Sequence, residues 1–120
     1  MKTSAQRPRR TTRPSGEECE RADAALLRAF DLLGKRWTGV VLGTLRGGPA
    51  GFRAIARAID GISDSMLSER LGELSRAGLV VRTVAEGPPV SVTYGLTDAG
   101  RALLPALEQI TSWAKQHLPA

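Results

Sequence analysis

The apolar positions of this chain fall into five stripes of helical period and two short β-branched runs. Ala22, Leu26, Ala29, Phe30 and Leu33 share one helical face and predict a first helix from about Glu20 to Leu33. Gly34 interrupts it. Trp37, Val40, Val41, Thr44 and Leu45 then make the stripe of a second helix, stopped by Gly47-Gly48-Pro49. Phe52, Ile55, Ala56 and Ile59 mark a short third helix, which leads into a turn at Asp60-Gly61-Ile62.

The fourth segment has the fullest set of local signals. Ser63 is placed to cap a helix running to Ala77, with Asp64 in the first turn where a negative charge meets the helix dipole favourably. Leu67, Leu71 and Leu74 form an i, i+4, i+7 stripe, and burying each contributes roughly 1.5–3 kcal/mol. Gly78 supplies the C-terminal stop. Val80 to Val84 and Val90 to Leu96 read as strands, separated by a Gly87-Pro88-Pro89 segment that neither strand can include. Thr97 caps a last helix whose apolar positions are Leu103, Leu104, Leu107, Ile110, Trp113 and Ala114. Pro105 lies inside it and predicts a kink.

Helix, tight turn, helix, hairpin is the order of a winged helix-turn-helix. The fold class expected is mainly α with a small β-hairpin (α+β). In that plan the second helix of the pair enters the DNA major groove while the hairpin lies along the backbone. With the leucines inward, Ser65, Glu69, Gly72 and Arg76 lie opposite the core and Ser68 sits on one shoulder. Ser63, Ser65, Ser68 and Glu69 are then the candidate base readers, since hydroxyls serve several base edges and a carboxylate accepts from the cytosine amino group. This set is poor in the Arg-to-guanine contact, so per-base specificity leans on Arg70 and on DNA shape. Lys35 and Arg36 before the second helix, and Arg53 opening the third, are candidates for phosphate. Seen alone, the serine-bearing side of the fourth helix is equally a solvated face. Its place between a turn and a hairpin favours the functional reading.

Charge sharpens this only at one end. The net charge is +5 over 120 residues, and Lys2, Arg7, Arg9, Arg10 and Arg13 account for all of it. From Glu17 onward acids and bases balance, so any basic DNA-facing surface on the domain must come from spatial segregation. The expected organisation is a disordered basic tail over 1–17 and one domain over 18–118. The tail is open to three readings: a solvated leader, a phosphate-touching arm, or a transit peptide. No apolar run approaches the roughly 20 residues of a membrane span, which leads to the expectation of a soluble, cytosolic chain.

The only cysteine, Cys19, has no internal partner for a disulfide. Near a helix start it can serve as a redox or electrophile sensor, a role that Glu17, Glu18 and Glu20 oppose. His117 stands alone near the other end, and no metal spacing, phosphate loop or nucleophile elbow is present. Neither enzymatic activity nor a cofactor is expected. The competing class is a protein-interaction module, because winged helices also serve as docking parts and the wing tip carries Glu86 instead of a cation.

Four segments together resemble the HxlR-type winged helix-turn-helix transcriptional regulators. They are Phe30-Asp-Leu-Leu-Gly-Lys-Arg-Trp37, Gly61-Ile-Ser-Asp-Ser-Met-Leu-Ser-Glu-Arg-Leu71, Glu73-Leu74 with Gly78-Leu79-Val80, and Pro88-Pro-Val-Ser-Val-Thr-Tyr-Gly-Leu-Thr97. Gly100, Leu104-Pro105 and Trp113 look like that family's closing helix, and the resemblance spans about Cys19 to His117. It implies a cytosolic prokaryotic repressor or activator that dimerises through its terminal helices and binds double-stranded DNA at an inverted-repeat operator. A small-molecule effector is compatible with such a regulator. The resemblance implies that the helix from Ser63 reads the major groove and that the hairpin near Pro88 to Ser91 touches backbone or minor groove. It also implies a dimer surface containing Leu26, Phe30, Leu103, Leu107, Ile110 and Trp113. Two departures stand out: many relatives have a basic residue where Ser91 stands, and Cys19 lies about one helical turn further from Lys35-Arg36-Trp37 than the family's sensing cysteine.

Overall fold

The computed structural model describes residues 16–120, so the five basic residues of the tail lie outside the described residues. The chain divides into two units, one ending at Lys35 and one from Arg36 to Ala120.

The first unit contributes helix α1, Gly16–Leu33. It starts earlier than its apolar stripe and takes in Gly16 and Glu17, which composition assigns to the tail. Glu17 and Glu18 in the first turn supply the reason, since negative charge is favourable near a helix N-terminus. No residue of α1 is buried, and Leu26, Leu27 and Phe30 are exposed. The helix ends where Gly34 N–H donates to the Phe30 carbonyl at 2.8 Å.

In the second unit the elements are α2 (Thr38–Thr44), a 3₁₀ turn (Leu45–Gly47), α3 (Phe52–Ala58), α4 (Asp64–Arg76), β1 (Val80–Ala85), β2 (Ser91–Leu96) and α5 (Asp98–His117). Trp37 is not helical, contrary to its place in the apolar stripe. It caps α2 in the left-handed region at φ 83°, a conformation costing a bulky residue about 1–3 kcal/mol. Its ring lies against the turn between α3 and α4: a Cβ at Gly61 would stand 3.6 Å from Trp37 Cη2. Gly61 itself, at φ +89°, occupies a conformation that side-chain-bearing residues avoid.

The core of this unit is Val41, Leu42, Leu45, Ile55, Ile59, Leu67, Leu71, Leu74, Val80 and Leu104. The three leucines of α4 are all in it. At the far end of α4, Leu79 N–H donates to the Leu74 carbonyl and Gly78 N–H to Ser75, with Gly78 at φ +79°. That is a Schellman termination, and it sends the chain directly into β1.

β1 and β2 pair antiparallel in the register Val80↔Leu96 to Ala85↔Ser91. Val90 falls outside the strand it was expected to begin and is exposed. A feature without a periodic signal completes the sheet: Ala50 and Tyr94 exchange two backbone hydrogen bonds, at 2.9 and 2.8 Å. Pro49 sits close under Gly95, where a Cβ would come within 3.2 Å of Pro49 Cγ.

Thr97 joins the ends of two helices. Its hydroxyl donates to the Gly78 carbonyl at 2.6 Å and accepts from Gly100 N–H at 3.1 Å. Gly100 is pressed against the same junction, and a Cβ there would lie 2.2 Å from the Leu79 carbonyl oxygen. α5 then runs through Pro105 as one helix to His117, so the proline removes a backbone bond without ending the helix. Among the described residues no helix is long and apolar enough to cross a membrane.

Candidate nucleic-acid interface

α4 is capped as its sequence requires. Ser63 Oγ accepts from Met66 N–H at 3.1 Å and lies 3.3 Å from Ser65 Oγ. Ser63, Ser65, Ser68 and Glu69 are all exposed: Ser65 and Glu69 on the side of the helix away from the three buried leucines, Ser68 on the shoulder of that side, and Ser63 at the helix start. The leucines therefore fix the helix rotation, and that rotation turns the hydroxyls outward.

Arg70 does not share this face. The residue is only 7% exposed, because its position on the wheel lies beside the leucines. Its guanidinium donates to Glu73 Oε1, to Glu69 Oε2 at 3.2 Å and to Met66 Sδ at 3.2 Å. Arg70 Nε is buried with no partner among the described residues, an omission that costs about 1–3 kcal/mol. The expectation of a base-reading Arg70 is thus corrected: the side chain is spent on two carboxylates of its own helix.

The expected phosphate ligands are spread over several elements. Arg53 is exposed at the start of α3, with its guanidinium 5.1 Å from the Phe52 ring and 2.6 Å from Asp64 in the first turn of α4. An exposed pair of this kind contributes little stability, but it holds a cation beside the first turn of α4. Arg36 lies over the Trp37 ring at 4.8 Å. Lys35 is exposed at the end of the first unit. In the hairpin, Ser91 is exposed at the start of β2, and Arg82 is exposed on β1 opposite Tyr94. Val81, Val84 and Val90 are exposed as well, which makes the wing apolar at several positions instead of basic.

The residues expected at a dimer surface divide by burial. Leu103 and Leu107 are half-buried, and a Cβ at Gly39 of α2 would touch Leu107. Further along α5, Ile110 and Trp113 are exposed, the latter at 54% and beside His117 with ring centroids 5.9 Å apart. Leu26 and Phe30 are exposed on α1. Cys19 is an exposed free thiol, two residues from each member of an exposed Arg21–Glu17 pair at 4.0 Å. An open groove between the 3₁₀ turn and α5 is lined by Arg46, Glu108, Thr111, Ser112 and Lys115.

Periodicity missed two contributors to this arrangement. Trp37 supports the turn from below, and only its neighbour Gly34-Lys35-Arg36 hinted at a break there. Thr97, read only as a cap, also ties the end of α4 to the start of α5.

A short helix, a glycine turn, a capped helix with a polar outer face and a hairpin immediately after it define a winged helix-turn-helix, the architecture of DNA-binding transcription regulators. Residues 32–120 match the HxlR-like helix-turn-helix family, and the chain belongs to it. It is 44% identical over 88 residues to the HTH-type transcriptional regulator YodB of Bacillus subtilis (strain 168), covering 73% of this chain and 79% of that one. The solved structure of reduced YodB from B. subtilis superposes with a TM-score of 0.72 at 41% identity, over 78% of this chain and 92% of that chain. The redox regulator HypR in its oxidised form gives 0.74 at 29% identity, over 80% of this chain and 99% of that chain. The protein is a DNA-binding transcriptional regulator.

Proposed function

We propose that two copies of this protein bind an inverted-repeat operator in the cytoplasm, each inserting α4 into the major groove. The observation that carries this reading is the two-sidedness of α4. Leu67, Leu71 and Leu74 are buried on one side, Ser65 and Glu69 stand exposed on the other with Ser68 on its shoulder, and Ser63 is exposed at the helix start, directly after the Gly61 turn. Arg53 beside the first turn, with Arg36 and Lys35, supplies backbone contacts that set the register, while the short polar side chains meet base edges. Exposed apolar positions on α5, Ile110 and Trp113, and separately on α1, Leu26 and Phe30, are each open to self-association, since apolar side chains left open on a regulator this small favour a partner. Ser91 and Arg82 place the hairpin's polar groups against the backbone.

Selection of bound DNA from a random pool tests the reading. The expected product is an inverted repeat with half-site centres about 34–36 Å apart, or a multiple of that spacing. If the dimer neutralises roughly eight phosphates, log affinity should fall with log salt at a slope of about −7. A monomer that enriches no sequence and shows a flat salt dependence overturns the proposal and favours a protein-docking role.

A second reading places a thiol input on the same regulator. Cys19 is exposed, and relatives at 41% and 29% identity have been solved in reduced and oxidised forms. With one cysteine per chain, any disulfide must join Cys19 to another molecule, two thiols giving up two electrons and two protons to the oxidant. Cys19→Ser should keep operator affinity and lose the response to a thiol oxidant. An unchanged oxidant response in that variant would remove Cys19 from the mechanism.

A further inference from the structure

We infer that Arg70 is a positioning residue for base recognition: it holds the Glu69 carboxylate on the outer face of α4, so that each half-site prefers cytosine at one position. This rests on the reading of α4 as the major-groove helix. Two carboxylates meet the Arg70 guanidinium, and their exposures differ. The Glu73 side chain is 19% exposed and the Glu69 side chain 58%. Glu73 therefore meets the arginine inside the protein, whereas Glu69 reaches the surface near Ser65 and Ser68 with its Oε2 engaged, 3.2 Å from Arg70.

That contact is not one that helix geometry supplies by itself. Residues i and i+1 do not face each other on a helix, so the long arginine side chain must bend back to reach Glu69. Met66 Sδ and Glu73 Oε1 hold it in that bend. Both terminal nitrogens of the guanidinium are thus engaged, Nη1 on Glu73 and Nη2 on Glu69 and Met66.

The chemical consequence is selectivity by acceptance and by repulsion. A carboxylate has acceptors only. In the major groove it suits the cytosine amino group and opposes guanine O6 and N7 and thymine O4. A freely rotating glutamate facing a polyanion would turn away from it. A glutamate tethered from behind by a buried cation keeps its acceptor pointed at the groove, with its rotamer freedom already spent before binding.

The test is selection from a random pool with the full-length chain and its variants, scored position by position. Wild type should enrich cytosine at one position of each half-site. Arg70→Lys should lower that preference about tenfold while preferences elsewhere persist. Glu69→Asp retains the charge but is one methylene too short for the tether, and should lose the same preference. Glu69→Gln should move that same position toward adenine, which offers an amide both a donor and an acceptor. If Arg70→Lys does not fold by circular dichroism, the two Glu69 variants decide. Preferences that are unchanged, evenly weakened, or altered at a different position overturn the positioning role. A wild type that enriches no sequence instead removes the α4 reading beneath it.

Discussion

Replacing Ser65 and Ser68 together by glutamate should lower affinity for the selected operator about a thousandfold while leaving the fold intact. Both serines are exposed, Ser65 on the side of α4 opposite the buried leucines and Ser68 on the shoulder of that side. Each change removes a hydroxyl that serves base edges and adds a carboxylate facing phosphates. A dimer carries the pair twice, so four sites are altered. A lost base contact costs about 1–3 kcal/mol, and four at the low end already reach the stated factor. Stability should barely move, since surface substitutions fall within about 0.5 kcal/mol. Fluorescence anisotropy with labelled operator and thermal melting of the same samples check the two halves. Affinity that survives the double change would place the reading face elsewhere.

Leu71→Ala should do the reverse. Leu71 is 1% exposed and lies between Leu67 and Leu74, both fully buried. Truncation removes its transfer free energy and leaves a cavity, together about 2–5 kcal/mol, a large share of the roughly 5–15 kcal/mol that holds a small domain. The melting temperature should fall by about 10–25 °C, compared at one protein concentration because self-association contributes to it. Well below that temperature the variant should still recognise the operator, since its outer face is unchanged. A shift of only about 2 °C would mean that the leucine stripe is not what holds α4 down. The two experiments form a pair: one side of the helix answers in binding, the other in stability.

That separation is legible in the amino-acid sequence, because it depends on the helical period alone. Three leucines at i, i+4 and i+7 can face only one way, and whatever lies opposite them must face out. The caps are legible for a similar reason. Ser63 accepts from Met66 N–H and Thr97 from Gly100 N–H, contacts made within three residues of the capping side chain. The Gly78 termination belongs with them, being closed entirely by neighbours in the chain.

Arg70 shows where local reasoning stops. A wheel places it beside the leucines, but an arginine is long enough to reach solvent from such a position. Its burial is decided by Glu73, Glu69 and Met66 converging on the guanidinium. Trp37 is a second instance. Its apolar side chain fits the stripe of α2, yet its backbone turns left-handed where the ring packs beneath Gly61. The Ala50–Tyr94 bridge is a third, pairing two residues far apart in the chain with no periodic run around Ala50 to announce it.

The amino-acid sequence alone determined the element order, the caps, and which side of α4 is apolar, because each follows from contacts a few residues apart. Only the tertiary structure decided that a buried arginine serves a carboxylate on the outer face, that a tryptophan underpins the turn, and that Ala50 completes the sheet. Those outcomes depend on groups meeting across the fold, where the energy of the meeting outweighs what the local backbone or side chain would do unaided.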